Sequence, residues 1–277
     1  MTEQTARQRT LWIVGAIAII LYTMLPIFWI LSLSFKTPSD LTNQGFLPTH
    51  WTWANYSTVF KTSLFTSALR NSIGIVVIST LISVVFATFA AYGIARLEFP
   101  GKRLILSVAL AIAAFPVVSL ISPLFNLWRT FHLFDTWPGV IIPLVSFSLP
   151  LSIYVLSAFF REIPWEMEQA AQVDGATAWQ AFRKVLVPLA TPGIFTAAIL
   201  AFFAGWNDFT FGIALTSTSR SRTVPAALAF FNGASQFQSP ITAIAAAAVV
   251  VTVPVIIMVL IFQRRIVAGL TNGAVKG

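Results

Sequence analysis

Six apolar stretches alternate with short polar segments along this chain of 277 residues, and the first four stretches contain no Asp, Glu, Lys, Arg or His. Each stretch exceeds the roughly 18 to 20 residues that span a lipid bilayer as a helix. The pattern therefore predicts an all-α membrane protein with six transmembrane helices in one domain, residues 1–277. The predicted spans are residues 11–35, 71–95, 104–128, 136–160 and, approximately, 193–215 and 241–262.

Composition supports the membrane assignment and adds an orientation. Charged residues make up 9% of the chain, whereas about 25% is usual in soluble domains. Assigning the connecting segments alternately to the two sides puts eleven basic residues on the side of both termini and six on the other, which accounts for all 17. Because basic residues are enriched in cytoplasmic segments, both termini are predicted to be cytoplasmic. The basic residues do not form a continuous basic stripe of the kind that binds nucleic acid. Membrane lipid is therefore an expected partner, and nucleic acid is not.

The longest predicted cytoplasmic segment, residues 161–192, has the pattern of two short helices joined by a turn. Pro164 suits a first helical position, and Glu168 lies in an acidic first turn, which the helix dipole favours. Asp174 and Gly175 provide a left-handed stop, after which apolar residues recur at helical spacing. The segment is therefore predicted to hold a compact acidic helix and a second, amphipathic helix that returns to the membrane.

Two interpretations of this segment are open. A surface connector is the simpler one, but a connector needs only a few residues. A rigid helix below the membrane can instead dock in a groove on a cytoplasmic partner, and the small residues Ala170, Ala171 and Gly175 permit close approach. We favour docking.

Residues 168–176, Glu-Gln-Ala-Ala-Gln-Val-Asp-Gly-Ala, resemble the coupling motif of ABC importer permeases. That motif has a glutamate and two alanines, followed after three residues by glycine; here Gln169 separates Glu168 from Ala170. Other segments resemble the carbohydrate branch of these permeases, which contains MalG-like maltose permeases and SugB-like trehalose permeases. These segments are residues 53–56, 71–72, 91–96, 99–102, 206–208 and 269–277.

The resemblance implies a type I ABC importer permease fold in the bacterial cytoplasmic (inner) membrane. The implied partners are a second homologous permease in a heterodimer, two ATP-binding subunits and an extracytoplasmic substrate-binding protein. The sequence has no Gly-x-x-x-x-Gly-Lys-Ser/Thr loop, so this chain is expected to be no enzyme and to hold no cofactor, with ATP and Mg²⁺ bound by the partner ATPases. Implied ATPase contacts are Glu168, Ala170, Ala171, Asp174, Gly175 and Ala176 in the coupling segment, and Gly273, Lys276 and Gly277 in the tail, residues 264–277.

Trp206, Asn207 and Asp208 are the leading candidates for a substrate pathway. A carboxylate near the middle of a bilayer costs roughly 2.5 to 3.5 kcal/mol, so Asp208 is expected to face the bundle interior or a water-filled cavity. Aromatic faces match the CH surfaces of sugars, and amide or carboxylate oxygens match their hydroxyls. A role for Asp208 as an interhelical hydrogen-bonding residue or an interfacial residue is an equally open interpretation. Asn126 and Tyr154 are further candidates.

The predicted external segment from residue 216 to residue 240 is expected, by the same resemblance, to contact a substrate-binding protein. Asn232, Gln236 and Phe237 are the predicted contacts. His50 and His132 lie in predicted external loops with no carboxylate at metal-ligand spacing, so no metal site is expected.

Two other classes of function are alternatives to the importer. An ion-coupled secondary transporter of a polar solute keeps its coupling groups inside the membrane, and only Asp208 qualifies here. An intramembrane enzyme is the second alternative, but neither His-Glu-x-x-His nor Gly-x-Ser-x-Gly occurs in the sequence.

Overall fold

The computed structural model describes residues 6–42, 45–231 and 241–274, with side chains from Thr10 to Phe262. These residues are mainly helical and contain no strand. A 3₁₀ turn lies at Pro38–Leu41, and a π-helical segment lies at Phe182–Leu186. The α-helices are α1 Ala6–Ser34, α2 Ala54–Lys61, α3 Ser63–Arg96, α4 Lys102–Ala113, α5 Val117–Thr130, α6 Trp137–Glu162, α7 Trp165–Val173, α8 Ala178–Ala181, α9 Val187–Leu189, α10 Thr191–Trp206, α11 Thr210–Leu215, α12 Val224–Ala229 and α13 Ile241–Ala274.

Four helices are long and apolar enough to cross a membrane, namely Thr10–Ser34, Ser63–Arg96, Trp137–Glu162 and Ile241–Phe262. Two bent helix pairs pass the same test, α4 with α5 and the α8–α9 segment with α10. The described chain therefore has six candidate spans if each bent pair counts as one. The all-α membrane fold predicted from the sequence is confirmed.

The third predicted span, residues 104–128, is broken rather than continuous. Helix α4 ends at Ala113 and α5 begins at Val117, and the two axes differ by 87°. Pro116 stands at the break with an extended backbone. Proline has no N–H for the helical ladder and disfavours helical geometry in the residue before it, which accounts for the bend.

The fifth predicted span, residues 193–215, also differs from a single helix. Helix α10 begins earlier, after a 71° bend at Ala190, and it ends at Trp206. The short helix α11 then covers Thr210–Leu215. The break after α10 contains the polar residues Asn207 and Asp208, but they are too few to end an apolar stretch in a hydropathy pattern.

The chain divides into two units, Met1–Thr66 with Phe230–Val253, and Ser67–Ala229 with Pro254–Gly277. In the first unit the amide of Asn55 donates to the carbonyls of Ser34 (2.9 Å) and Lys36 (2.8 Å), which satisfies acceptors at the end of α1. The ring of Phe35 lies edge-on to Trp53, with centroids 4.9 Å apart. These contacts fasten the end of α1 to the start of α2.

The second unit contains two apolar clusters, each built around α6. One cluster joins the last turns of α3 and α6 to the segment after α7, through Ala87, Ala91, Leu156, Phe160, Phe182 and Leu186. The other joins the opposite end of α6 to α3, α5 and α11, through Ile75, Trp128, Val140, Leu144, Phe211 and Leu215. Helix α6 is thus the central element of this unit.

Gly74 lies where α3 packs closely against the first residue of α6. A Cβ at Gly74 would lie 2.3 Å from the ring of Trp137, whereas Gly15 has open space around it. The indole N–H of Trp137 donates to Asn71 (3.1 Å), which holds the ring in place. We expect Gly74→Ala to destabilise the protein by about 1–3 kcal/mol through overpacking. Gly15→Ala is the control, because it gains the same helix propensity as Gly74→Ala without a steric clash.

Thermal unfolding of the two variants in detergent or nanodiscs measures the difference. An unfolding temperature for Gly74→Ala that equals that of Gly15→Ala would contradict the close packing of α3 against Trp137.

Candidate functional site

Helix α7 is a short, well-terminated helix within the segment from residue 161 to residue 192. Glu166 and Glu168 lie in its first turn, where the positive end of the helix dipole stabilises acidic side chains. The left-handed stop predicted at Gly175 is confirmed, since its φ is +89°. The N–H of Gly175 donates to Gln172 O (3.0 Å) and that of Ala176 to Ala171 O (2.9 Å). This pair of bonds is a Schellman motif, which closes the helix and turns the chain sharply.

Two faces of α7 have different surroundings. The side chains of Glu166, Gln169, Ala170 and Val173 recur at helical spacing and are exposed, with Val173 exposed to 88%. On the other face Glu168 is only 5% exposed. The helix is thus buried on the side of Glu168, and the exposed side, with the apolar Val173, is available to a partner.

Glu168 points into the protein rather than away from it. One carboxylate oxygen accepts a hydrogen bond from the hydroxyl of Tyr92 at 2.9 Å, and the other lies 3.8 Å from Nε of Arg96. Arg96 also donates to the carbonyl of Ile163 (2.7 Å) and stacks over the ring of Trp165 at 4.6 Å. Within this chain the side-chain partners of Glu168 therefore belong to α3.

The segment after Gly175 packs α7 against the membrane helices. A capping box between Thr177 and Gln180 starts α8, with the Thr177 N–H donating to the Gln180 side chain at 2.8 Å. The following π-helical segment carries Phe182, whose ring lies 4.8 Å from Tyr92 and 5.6 Å from Phe89. Pro188 has no N–H to donate to the helical hydrogen-bond ladder, and the π segment before it accommodates the missing bond. The segment after α7 is therefore packed directly against α3.

The predicted pathway triplet lies at the end of α10, and its members have separate roles. Trp206 is 3% exposed, and its indole N–H has no hydrogen-bond partner within the described part of the chain. Asn207 is exposed and donates to Phe203 O (2.9 Å). The carboxylate of Asp208 accepts hydrogen bonds from the N–H groups of Phe211 (3.3 Å) and Gly212 (3.0 Å). Asp208 thus satisfies the first turn of α11, as helix-capping carboxylates do.

A cavity of about 200 Å³ lies beside Asp208. Its size is below the roughly 300–1,000 Å³ of typical ligand pockets, so this chain does not enclose a ligand site there by itself. Asn126 and Tyr154, which are both exposed, are not among the residues of its wall. The lining residues are Val117, Leu144, Phe147, Ser148, Ala204, Asp208, Thr210 and Phe211.

Asp135 forms a polar clamp that sequence reasoning missed. The carboxylate of Asp135 accepts hydrogen bonds from the N–H groups of Ser217 (2.9 Å) and Thr218 (3.1 Å) and from the hydroxyl of Ser221 (2.7 Å). Asp135 has a φ of +59°, a left-handed geometry that Asp and Asn tolerate better than most residues. The turn before α6 is thereby fastened to the segment after α11.

Helix α3 also holds the segment that follows α11. The amide of Asn71 donates to the carbonyls of Ser219 (2.9 Å) and Arg222 (3.1 Å), and the hydroxyl of Ser72 accepts the N–H of Val224 at 2.8 Å. The chain is thus held firmly up to the start of α12.

Several predicted contact residues cannot be placed. Asn232, Gln236 and Phe237 lie outside the described residues, and so do Lys276 and Gly277. For Gly273 only its position on the backbone of α13 is described.

Comparison with known proteins identifies the family. Residues 83–271 match the family described as the binding-protein-dependent transport system inner membrane component. The chain belongs to this family. The permease is 56% identical over 272 residues to the trehalose transport system permease protein SugB of Mycobacterium tuberculosis, with 98% of this chain and 99% of that protein covered. It is 35% identical to the trehalose/maltose transport system permease protein MalG of Thermococcus litoralis, with both chains fully covered.

The fold of the permease has a counterpart among solved structures. A chain from the crystal structure of a bacterial ABC transporter that imports the acidic polysaccharide alginate superposes with a TM-score of 0.81. The superposition covers 95% of the permease and 99% of that chain, at 24% sequence identity. The importer permease fold predicted from the coupling motif is therefore confirmed, as is a multi-pass protein of the inner membrane. An ion-coupled secondary transporter, the alternative, finds no support.

The clamp at Asp135 predicts a pH-dependent contribution to stability. Partial burial raises the pKa of Asp135, but the hydrogen bonds from Thr218, Ser217 and Ser221 outweigh it and hold the pKa at about 2. In the unfolded chain the pKa of aspartate is about 3.9. The stabilisation is therefore fully present above pH of about 5 and is lost as the pH falls toward 2.

We expect Asp135→Asn, which tolerates the same backbone geometry, to be less stable than the wild type at pH 6 and to approach it near pH 2. Thermal unfolding at a series of pH values measures this convergence. A constant difference between the two proteins across that range would show that the carboxylate charge does not hold the segment.

Proposed function

We propose that the permease forms the transmembrane path of an ATP-driven importer of a disaccharide, with trehalose as the first candidate. The observation that carries the choice of sugar is the identity of 56% along nearly the whole chain to a trehalose permease. The 35% identity to a trehalose/maltose permease is consistent with the same class of substrate. Maltose is the second candidate for that reason.

The proposed importer has five components in addition to lipid. The permease, residues 1–277, pairs with a second homologous permease in a heterodimer, and two ATP-binding subunits supply ATP and Mg²⁺. An extracytoplasmic substrate-binding protein delivers the sugar. Both termini are proposed to be cytoplasmic, since the basic residues favour that side by eleven to six. The tail, through Gly273, Lys276 and Gly277, contacts the ATP-binding subunits.

Coupling to ATP hydrolysis is proposed to run through α7. Its exposed face, with Gln169, Ala170 and Val173, presents small and apolar side chains that fit a groove on a separate subunit. The sharp turn through Asp174, Gly175 and Ala176 lets the helix end project, while Ala171 packs on the half-buried side. The second helix and the ring of Phe182 then transfer the displacement of α7 to the membrane helices.

The sugar path is proposed to run past the end of α10. Trp206 and Asp208 offer an aromatic ring and a carboxylate, and Asn207 is exposed beside them. The adjacent cavity of about 200 Å³ is too small for a complete ligand site, which supports a path completed by the second permease. Asn126 and Tyr154, both exposed in the single chain, are proposed to face that shared path. Asn232, Gln236 and Phe237 are proposed contacts of the binding protein.

Docking of α7 on an ATP-binding subunit is tested by crosslinking. The chain contains no cysteine, so Gln169→Cys or Val173→Cys introduces a single thiol. We expect a short thiol-to-amine crosslinker to capture the ATP-binding subunit in the assembled complex from either position. Arg103→Cys, exposed at the start of α4, is the control and should yield no such product. Equal yields from all three positions would contradict a specific docking face.

The substrate is tested by uptake into proteoliposomes that contain the complete importer and enclose ATP. We expect labelled trehalose to accumulate when its binding protein is outside and ATP is inside, and excess unlabelled trehalose to compete. Liposomes with a non-hydrolysable ATP analogue are the control and should show no accumulation. Uptake driven by a proton or sodium gradient in the absence of ATP would overturn the proposed function.

A further inference from the structure

One buried ion pair joins three elements at the end of the bundle from which α7 projects. Arg96 is the last residue of α3 and is 4% exposed, and Glu168 on α7 is 5% exposed. Arg96 also donates to the carbonyl of Ile163, the residue that ends α6, at 2.7 Å. The docking face of α7 uses neither side chain, so the proposed contact with an ATP-binding subunit does not explain their burial.

The geometry of this pair is incomplete in a specific way. The hydroxyl of Tyr92 holds one oxygen of Glu168 at 2.9 Å. The other oxygen and Nε of Arg96 face each other at 3.8 Å, and neither atom has a hydrogen-bond partner among the described residues. Charge-assisted hydrogen bonds are about 2.7–2.9 Å long. A displacement of α7 by about 1 Å toward Arg96 would therefore complete the bond, and a displacement away would leave two buried charges unpaired.

We propose that Glu168 is a positioning residue that links α7 to α3 and α6 through Arg96, so that movement imposed on α7 is transferred to both membrane helices. The proposal rests on the proposed function, in which an ATP-binding subunit moves α7. Glu168 acts inside the permease, while the contact with the ATP-binding subunit belongs to the exposed residues of α7. Tyr92 keeps the carboxylate oriented throughout.

A purely structural role for the pair makes a different prediction. A buried ion pair adds little net stability compared with neutral residues, but removing one partner strands a buried charge and is destabilising. If stability were its only role, removing both charges together would restore the assembled complex and its activity. A transmitting role requires the attraction itself, so removing both charges would restore assembly but leave the helices uncoupled.

The test compares Glu168→Gln, the double variant R96Q/E168Q and the control Glu162→Gln, which removes an exposed carboxylate at the end of α6. Each is assembled with the second permease and the ATP-binding subunits in nanodiscs, and the trehalose-loaded binding protein is the stimulus. We expect R96Q/E168Q to assemble as the wild type does, yet its stimulated ATP hydrolysis per complex should fall roughly tenfold, within the range of coupling between contacting residues. Glu168→Gln should show the same loss of stimulated ATP hydrolysis per complex and a lower yield of assembled complex. Glu162→Gln should match the wild type in both.

The outcomes separate this inference from the proposed function. Wild-type stimulation by R96Q/E168Q, with normal assembly, would overturn the transmitting role of the pair and leave the importer intact. Failure of the wild-type complex to respond to the trehalose-loaded binding protein would instead count against the proposed substrate. A cross-link from position 169 that persists in R96Q/E168Q confirms that docking is intact while transmission is lost.

Discussion

Lipid offers no hydrogen-bond partners, so every polar group that this chain buries has to be satisfied within the protein, and this constraint shapes the whole fold. Helices satisfy their own backbones, and side chains take over where helices stop: Asp208 accepts the first N–H groups of α11, and Asp135 accepts those of the segment after it. The polar atoms without a partner in the described residues include the indole N–H of Trp206 and Nε of Arg96. Both lie where a substrate path and a coupling joint are proposed.

The two faces of α7 have different surroundings, which fits the two partners that we propose for this short helix. The exposed face carries Gln169 and Val173, whereas the buried face carries Glu168, which belongs to the packing of α3. A helix of nine residues has little intrinsic stability, so its position depends on these tertiary contacts and on the closed turn at Gly175. The permease thus holds one face of α7 through these contacts and leaves the opposite face exposed, where we propose that a subunit that hydrolyses ATP binds.

Much of the architecture followed from local sequence signals, and the exceptions have two physical causes. Charge-free runs predicted the spans and a glycine after an aspartate predicted the turn at Gly175, because both signals act within a few residues. The break between α4 and α5 was missed, since hydropathy records how apolar a segment is but not its direction. The clamp at Asp135 and the inward orientation of Glu168 depend on partners more than 70 residues away. Such partners are invisible in a single sequence, in which Glu168 fits either face of a helix.

The central claim is that α7 is bound on one side by the permease itself and on the other by a separate ATP-binding subunit. A cryo-electron microscopy structure of the assembled importer, with side chains resolved around α7, tests it most directly. We expect Gln169 and Val173 to be covered by the ATP-binding subunit while Glu168 remains against Tyr92 and Arg96. A bare surface at Val173, or a Glu168 side chain turned onto the ATP-binding subunit, would contradict it.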